Sequence, residues 1–153
     1  MSLVVSVSGR VEAPTDVVYG ILRDYVRHHP QILPDRFTAL TVEEGGIGAG
    51  TVFDLSVTVL GRTQQMHMVV DEPEPGHVLM ESDTSDGTVT TFTVEPDGHD
   101  HSMVTIETTW QPATGMSAIV DRGVKPHYLR RLYRQELRNL DKYARGLSQA
   151  DRT

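Results

Sequence analysis

The stretch from Phe37 to Trp110 constrains the fold more than any other part of the chain. Runs rich in β-branched and aromatic residues lie at Phe37–Glu43, Thr51–Val59, Arg62–Asp71, His77–Ser82, Thr88–Glu95 and Ser102–Gln111. Between them stand turn formers: Gly45–Gly50, Leu60-Gly61, Glu72–Gly76, Asp86-Gly87 and Pro96–Gly98. Short, regularly spaced strands joined by tight turns favour an antiparallel sheet. A further strand is expected at the N-terminus, where Leu3, Val5, Val7 and Val11 alternate with Ser6, Ser8, Arg10 and Glu12.

After the first strand, Pro14-Thr15-Asp16 opens a helical pattern with Val17, Val18, Ile21 and Leu22 as its apolar face. Arg23–His28 is expected to form a second short helix, stopped by Pro30. The C-terminal segment is a long amphipathic helix. Counted from Leu129 at about 100° per residue, Leu132, Tyr133, Leu137, Leu140, Tyr143, Ala144 and Leu147 form one stripe, and Arg130, Arg131, Arg134, Arg138, Lys142 and Arg145 the opposite side. Gly123 and Pro126 make Met116–Lys125 either a separate turn or the far side of a kink. A twisted antiparallel sheet has one apolar concave face, and this helix is its natural cover. Where sheet and helix diverge, a pocket opens. The expectation is an α+β fold: a curved antiparallel sheet of about seven strands around a long C-terminal helix, with two short helices after the first strand.

Composition narrows the chemistry. The 153 residues suit one domain, expected over 1–147 with a tail at 148–153. Without Cys, thiol nucleophiles, disulfides and thiolate metal sites are excluded. No apolar run approaches the roughly 18 residues of a membrane span, and the N-terminus lacks the order of a signal peptide, so a cytoplasmic location is expected. Residues 1–115 carry five Lys and Arg against seventeen Asp and Glu; residues 116–153 carry nine against four. An acidic body with a basic C-terminal segment is self-complementary; a basic face for phosphates, anionic lipid or an acidic partner is the sharper alternative. Nucleic acid is disfavoured, because the overall field repels it.

Glu136 is the most informative residue, lying about 20° from Leu129 in the middle of the apolar stripe. A carboxylate there must be paired, hydrated or protonated. It either meets a ligand in the pocket or pairs with an arginine such as Arg10 or Arg62. Tyr133 shares its face and offers a hydroxyl tip on an apolar body. Met66 and Met68, if inward, suit a pocket for varied apolar shapes, with His67 pointing out. Phe92 and Trp110 belong to the concave face. His99-Asp100-His101 supplies only two ligands on a turn, a weak metal site. The Gly45–Gly50 run is followed by no Gly-Lys-Ser/Thr, and no Gly-x-Ser-x-Gly elbow or His-Glu-x-x-His motif occurs. No cofactor, no metal and no catalytic residue is therefore assigned.

Several phrases carry a resemblance. Val11-Glu12-Ala13-Pro14-Thr15-Asp16-Val17-Val18-Tyr19, Gly46-Ile47-Gly48-Ala49-Gly50-Thr51, Asp71–Leu79 and Phe92-Thr93-Val94-Glu95-Pro96-Asp97-Gly98 follow one another as in the START-like, or helix-grip, superfamily. The chain most resembles its polyketide cyclase/dehydrase and lipid-transport branch, which includes Bet v 1-like proteins. The resemblance implies the helix-grip fold and a hydrophobic or aromatic small molecule, lipid-, quinone- or polyketide-like, held between sheet and helix. It also implies that the segment after the first helix closes one rim, bringing Tyr25 and one of His28 and His29, with His28 the choice, into consideration as gating or ligand-binding residues. Enzymatic cyclisation or dehydration by positioning and proton shuttling is the alternative, with Glu136, Tyr133 and a rim histidine as proton carriers. A partner-binding module using the basic back of the helix is a third reading, and homodimerisation through a sheet edge is compatible with all three.

Overall fold

The computed structural model describes residues 2–59 and 61–150; Leu60 of one expected turn and residues 151–153 of the expected tail lie outside the described residues. Seven strands form one antiparallel sheet: β1 (Leu3–Val11), β2 (Phe37–Glu44), β3 (Val52–Val59), β4 (Arg62–Glu74), β5 (Val78–Asp83), β6 (Val89–Pro96) and β7 (Ser102–Trp110), in the order β1-β7-β6-β5-β4-β3-β2. Each strand lies within a few residues of its sequence-based bounds. β1 and β2 are consecutive strands at opposite edges, and the segment joining them carries α1 (Thr15–Arg23) and α2 (His29–Ile32). Register shifts at Thr38/Thr41 and Val42/Glu44 bend β2.

The second helix differs from the expectation. Asp24 ends α1 in extended geometry and bridges to Ile47; the chain then turns, and Pro30 stands in the first turn of α2 instead of stopping a helix. Proline lacks only an N–H that a helix start leaves unpaired, so it initiates here as readily as it would terminate. The glycine loop latches onto this corner. Tyr25 N donates to Gly46 O, and Gly48 N to Arg23 O, both at 2.8 Å.

The long helix α4 (Lys125–Ala150) follows α3 (Ser117–Ile119) and a π turn at Val120–Val124. Helical backbone runs from α3 through the π turn into α4, and residues 148–150 continue the helix where a tail was expected. Leu132, Leu137, Leu140 and Ala144 are buried against the sheet, each leucine contributing about 1.5–3 kcal/mol. The helix crosses β1 so closely that a Cβ on Gly9 would meet Leu137 Cδ1 at 3.1 Å. Asn139 Nδ2 donates to Ile32 O at 3.0 Å, the amide of Glu12 to Asp141 Oδ1 at 2.9 Å, and Tyr128 Oη to Thr58 O at 2.6 Å. These bonds pin α4 at both ends and leave its middle standing off β3, β4 and β5.

Candidate functional site

The space between the sheet and the middle of α4 is a cavity of about 650 Å³. Phe53, Leu55 and Val57 of β3, Met66 and Met68 of β4, Phe92 of β6 and Leu129, Leu132 and Tyr133 of α4 supply apolar wall. Its mouth lies among exposed residues, including Arg62, Gln64, Asp86, Met116 and Val124. The opposite end is buried and polar. His29, Glu81 and Glu136 meet there, from α2, β5 and α4.

Glu136 is 3% exposed and lines the cavity. Among the described residues no arginine pairs with it: Arg10 pairs with Asp97 at 2.9 Å, and Arg62 stands exposed at the mouth. Its nearest ionisable neighbours are His29, whose Nε2 is 4.0 Å from Oε1, and Glu81. Burial first, and the negative charge of Glu81 second, push its carboxyl well above the usual range. Glu81 is also raised by burial, opposed by His29 and by Tyr25, whose hydroxyl donates to Glu81 Oε2 at 2.6 Å. His29 Nε2 stands 3.9 Å from that same oxygen. His29 Nδ1 lies 2.6 Å from Leu22 O, so it carries the proton and leaves Nε2 turned to both carboxyls. Stacking on Tyr25, with ring centroids 4.6 Å apart, and an edge contact with Phe92 fix the imidazole plane.

A chain of hydroxyls flanks this cluster. Tyr133 hydrogen-bonds Thr108, which is 2.8 Å from Thr90 Oγ1. Burial raises the Tyr133 phenol to about 12, the nearby Glu136 adding and the two threonine hydroxyls opposing. All three residues line the cavity.

Of the sequence-derived candidates, Glu136, Tyr133, Met66, Met68 and Phe92 thus stand together around one space. Three do not line it. Tyr25 is buried behind His29 and reaches the site through its stack on that ring and its hydrogen bond to Glu81. His28 turns away, its Nδ1 2.8 Å from Tyr143 Oη, because the turn into α2 sends successive side chains to opposite sides and gives His29 the cavity. Trp110 is buried at the end of β7 beneath Lys125, whose Nζ sits 4.8 Å from the ring centroid. Of the two adjacent rim histidines it is His29 and not His28 that lines the cavity, and sequence reasoning missed Glu81. A signal for Glu81 was available: Leu79, Glu81 and Asp83 alternate on the buried face of β5.

Among the described residues, donor atoms of Glu43, Asp54 and His67 also converge, all within 4.8 Å of one another, on the outer side of β2–β4. His67 points outward as expected, and its Nδ1 pairs with Asp54 Oδ1 at 2.7 Å, which raises the imidazole. No helix of the described residues is long and apolar enough to cross a membrane.

Residues 2–145 match the model of a family described as polyketide cyclase / dehydrase and lipid transport. Among solved structures the chain is similar to the KanY protein (ms6282), with 29% identity, coverage of 95% of this chain and 99% of that one, and a TM-score of 0.83. It is also similar to the Zhui aromatase/cyclase from Streptomyces sp. R1128, at 16% identity, 95% and 94% coverage and a TM-score of 0.70. Norcoclaurine synthase from Thalictrum flavum in complex with dopamine and hydroxybenzaldehyde gives 17%, 93% and 86%, and 0.71. The last two likenesses concern the fold alone. No curated protein matches the sequence.

Proposed function

Because the chain belongs to the polyketide cyclase/dehydrase and lipid-transport family, we propose that its cavity binds a hydrophobic or aromatic small molecule, lipid-, quinone- or polyketide-like, that carries a polar group to the buried end. The observation that carries this reading is Glu136: a buried, cavity-facing carboxyl whose protein surroundings offer no cation closer than His29. Burying such a group costs free energy unless something pairs with it. A ligand hydroxyl, carbonyl or amine is the partner the site lacks. The apolar wall supplies affinity, and the polar end supplies orientation. The protein acts in the cytoplasm.

A second reading, dehydration or cyclisation of a polyketide-like substrate, is favoured by the position of His29 between two carboxyls. His29 Nε2 takes a proton from carbon beside a carbonyl while protonated Glu136 gives its proton to a departing hydroxyl. The C–O bond breaks, a C=C bond forms and water leaves. Glu81, held by Tyr25, stabilises the imidazolium, and proton return from His29 to Glu136 resets the pair.

Native mass spectrometry on protein purified from its own host tests the first reading, followed by extraction of whatever accompanies it. A discrete bound mass is expected. Protein that arrives empty and also fails to bind N-phenyl-1-naphthylamine overturns the proposal. Glu136→Gln then separates the two readings: a binder changes in affinity alone, whereas an enzyme loses turnover with affinity held within a few-fold.

A further inference from the structure

The basic side of α4 takes no part in the cavity, yet it continues into an apolar strip at the cavity's mouth. Met116 is 87% exposed and Ile119 71%, while Val120 and Val124 are also exposed. Spacings of three and four carry the same helical face from Val120 and Val124 through His127 to Arg131, Arg134 and Arg138, all of them exposed. One continuous face is therefore apolar where it borders the mouth and cationic along the shaft. The π turn at Val120–Val124 lies at the junction. Val120, Val124 and Met116 belong to the strip and also line the cavity's entrance.

The geometry points to an anionic lipid bilayer as the surface on which this face docks. Large apolar side chains in water are costly when contiguous, and beside a cationic row they match the acyl–headgroup boundary of a membrane. Each arginine near an anionic leaflet adds attraction. The charge division supplies the orientation: residues 1–115 carry seventeen acidic against five basic residues, so the rest of the molecule is repelled while the 116–153 segment is drawn in. Repulsion from the far side is screened beyond about 8 Å at physiological salt. The acids at the mouth do little to oppose docking. Asp121 Oδ2 accepts from Ala113 N at 2.7 Å, and Asp86 Oδ1 from Thr88 N at 2.9 Å. Docking by this face sets the mouth against hydrocarbon, so an apolar molecule enters or leaves without crossing water. An acidic protein would meet the arginine row, but Met116 and Ile119 at the lip of an apolar cavity favour the bilayer. The inference concerns the outer surface and does not depend on what the cavity holds.

Co-sedimentation of the full chain with phosphatidylcholine vesicles, with and without phosphatidylglycerol, tests it. Binding is expected only to the anionic vesicles, weakening as salt rises. Arg131→Glu/Arg134→Glu should weaken partitioning at least about fivefold for each cation removed. Met116→Ser/Ile119→Ser should weaken it about tenfold. Both pairs are exposed, and an unchanged Tm confirms that each variant folds. Failure of the parent protein to bind anionic vesicles, or equal binding to neutral ones, overturns the proposal. So does undiminished binding by Met116→Ser/Ile119→Ser, which would leave a purely electrostatic face suited to an acidic protein.

Discussion

Oε1 of Glu136 lies 4.0 Å from Nε2 of His29, while the other nitrogen of that ring is committed to the Leu22 carbonyl. The backbone of α1 thus selects the tautomer that faces the cavity, and in the proposed function the carboxyl opposite is the group that a ligand satisfies.

Glu136→Gln is expected to stabilise the empty protein at neutral pH. A carboxyl whose folded-state pKa lies above its unfolded value contributes fully only below the unfolded value, and the contribution is lost as pH rises toward the folded one. At pH 7 and above the wild-type protein therefore bears the cost of a buried charge or of keeping it protonated. The amide removes that cost, on the order of 1 kcal/mol, or about 2–4 °C in Tm. Thermal melts at pH 4 and pH 8 check it: the difference should appear at pH 8 and shrink at pH 4.

Tyr25→Phe should act in the opposite direction. The Tyr25 hydroxyl is the hydrogen-bond donor to Glu81, and removing it leaves a buried carboxyl unsatisfied at a cost of about 1–3 kcal/mol. Burial already raises Glu81, and Tyr25 is one of the two groups opposing that rise. Losing it pushes the carboxyl higher still, so the destabilisation should grow with pH. Urea titrations at pH 5 and pH 8 give the comparison.

A third prediction lies outside the cavity, where Glu72 ties α1 to the sheet. Arg23 Nη2 and Nε reach Glu72 at 3.1 and 3.2 Å, Tyr19 Oη donates to it at 2.7 Å, and Ala49 N at 2.8 Å. Burial alone would raise this carboxyl, but these four donors outweigh it and hold it below the usual range. Its stabilisation is therefore present above the unfolded pKa and lost as pH falls through the folded one. Glu72→Gln should cost about 1–2 kcal/mol at pH 7, moderated by the partial exposure of Arg23, and little in acid. Chemical denaturation across that range reads it out.

Gly48→Ala tests the same knot by space. Gly48 has φ +68°, and a Cβ there would overlap the carboxylate of Glu72 and the guanidinium of Arg23. Both the left-handed backbone and the clash oppose the substitution, for a loss of about 3 kcal/mol. Gly50→Ala, also at positive φ but with open space around it, should cost clearly less. Equal losses would mean that backbone strain alone governs the loop.

Strands were legible because their alternation and their turns are local signals, and Phe37 to Trp110 contains both in every segment. The apolar stripe of α4 is equally plain in the sequence and carries Glu136 and Tyr133 within it, though the stripe alone leaves open whether Glu136 meets the cavity or an ion pair. What local pattern could not supply was the partner of Glu136. Arginine is the usual answer to a buried carboxylate, but Arg10 lies on an exposed position of β1 and Arg62 at the mouth. The histidine that does approach comes from α2, whose direction is set by the Asp24–Ile47 bridge and the glycine loop. That is long-range information. The exchange of His28 for His29 follows from the same turn, since adjacent residues there face opposite sides.

The pairing of β1 with β7 has a consequence for how the chain reaches this state. Leu3 sits opposite Trp110, and Val11 opposite Ser102, so β1 has no neighbour in the sheet until β7 has been translated. Contacts of such sequence separation close late and slow folding. β2 to β6 can zip hairpin by hairpin while β1 waits. The cavity is complete only when α4 lies on this meander, because its wall takes residues from both.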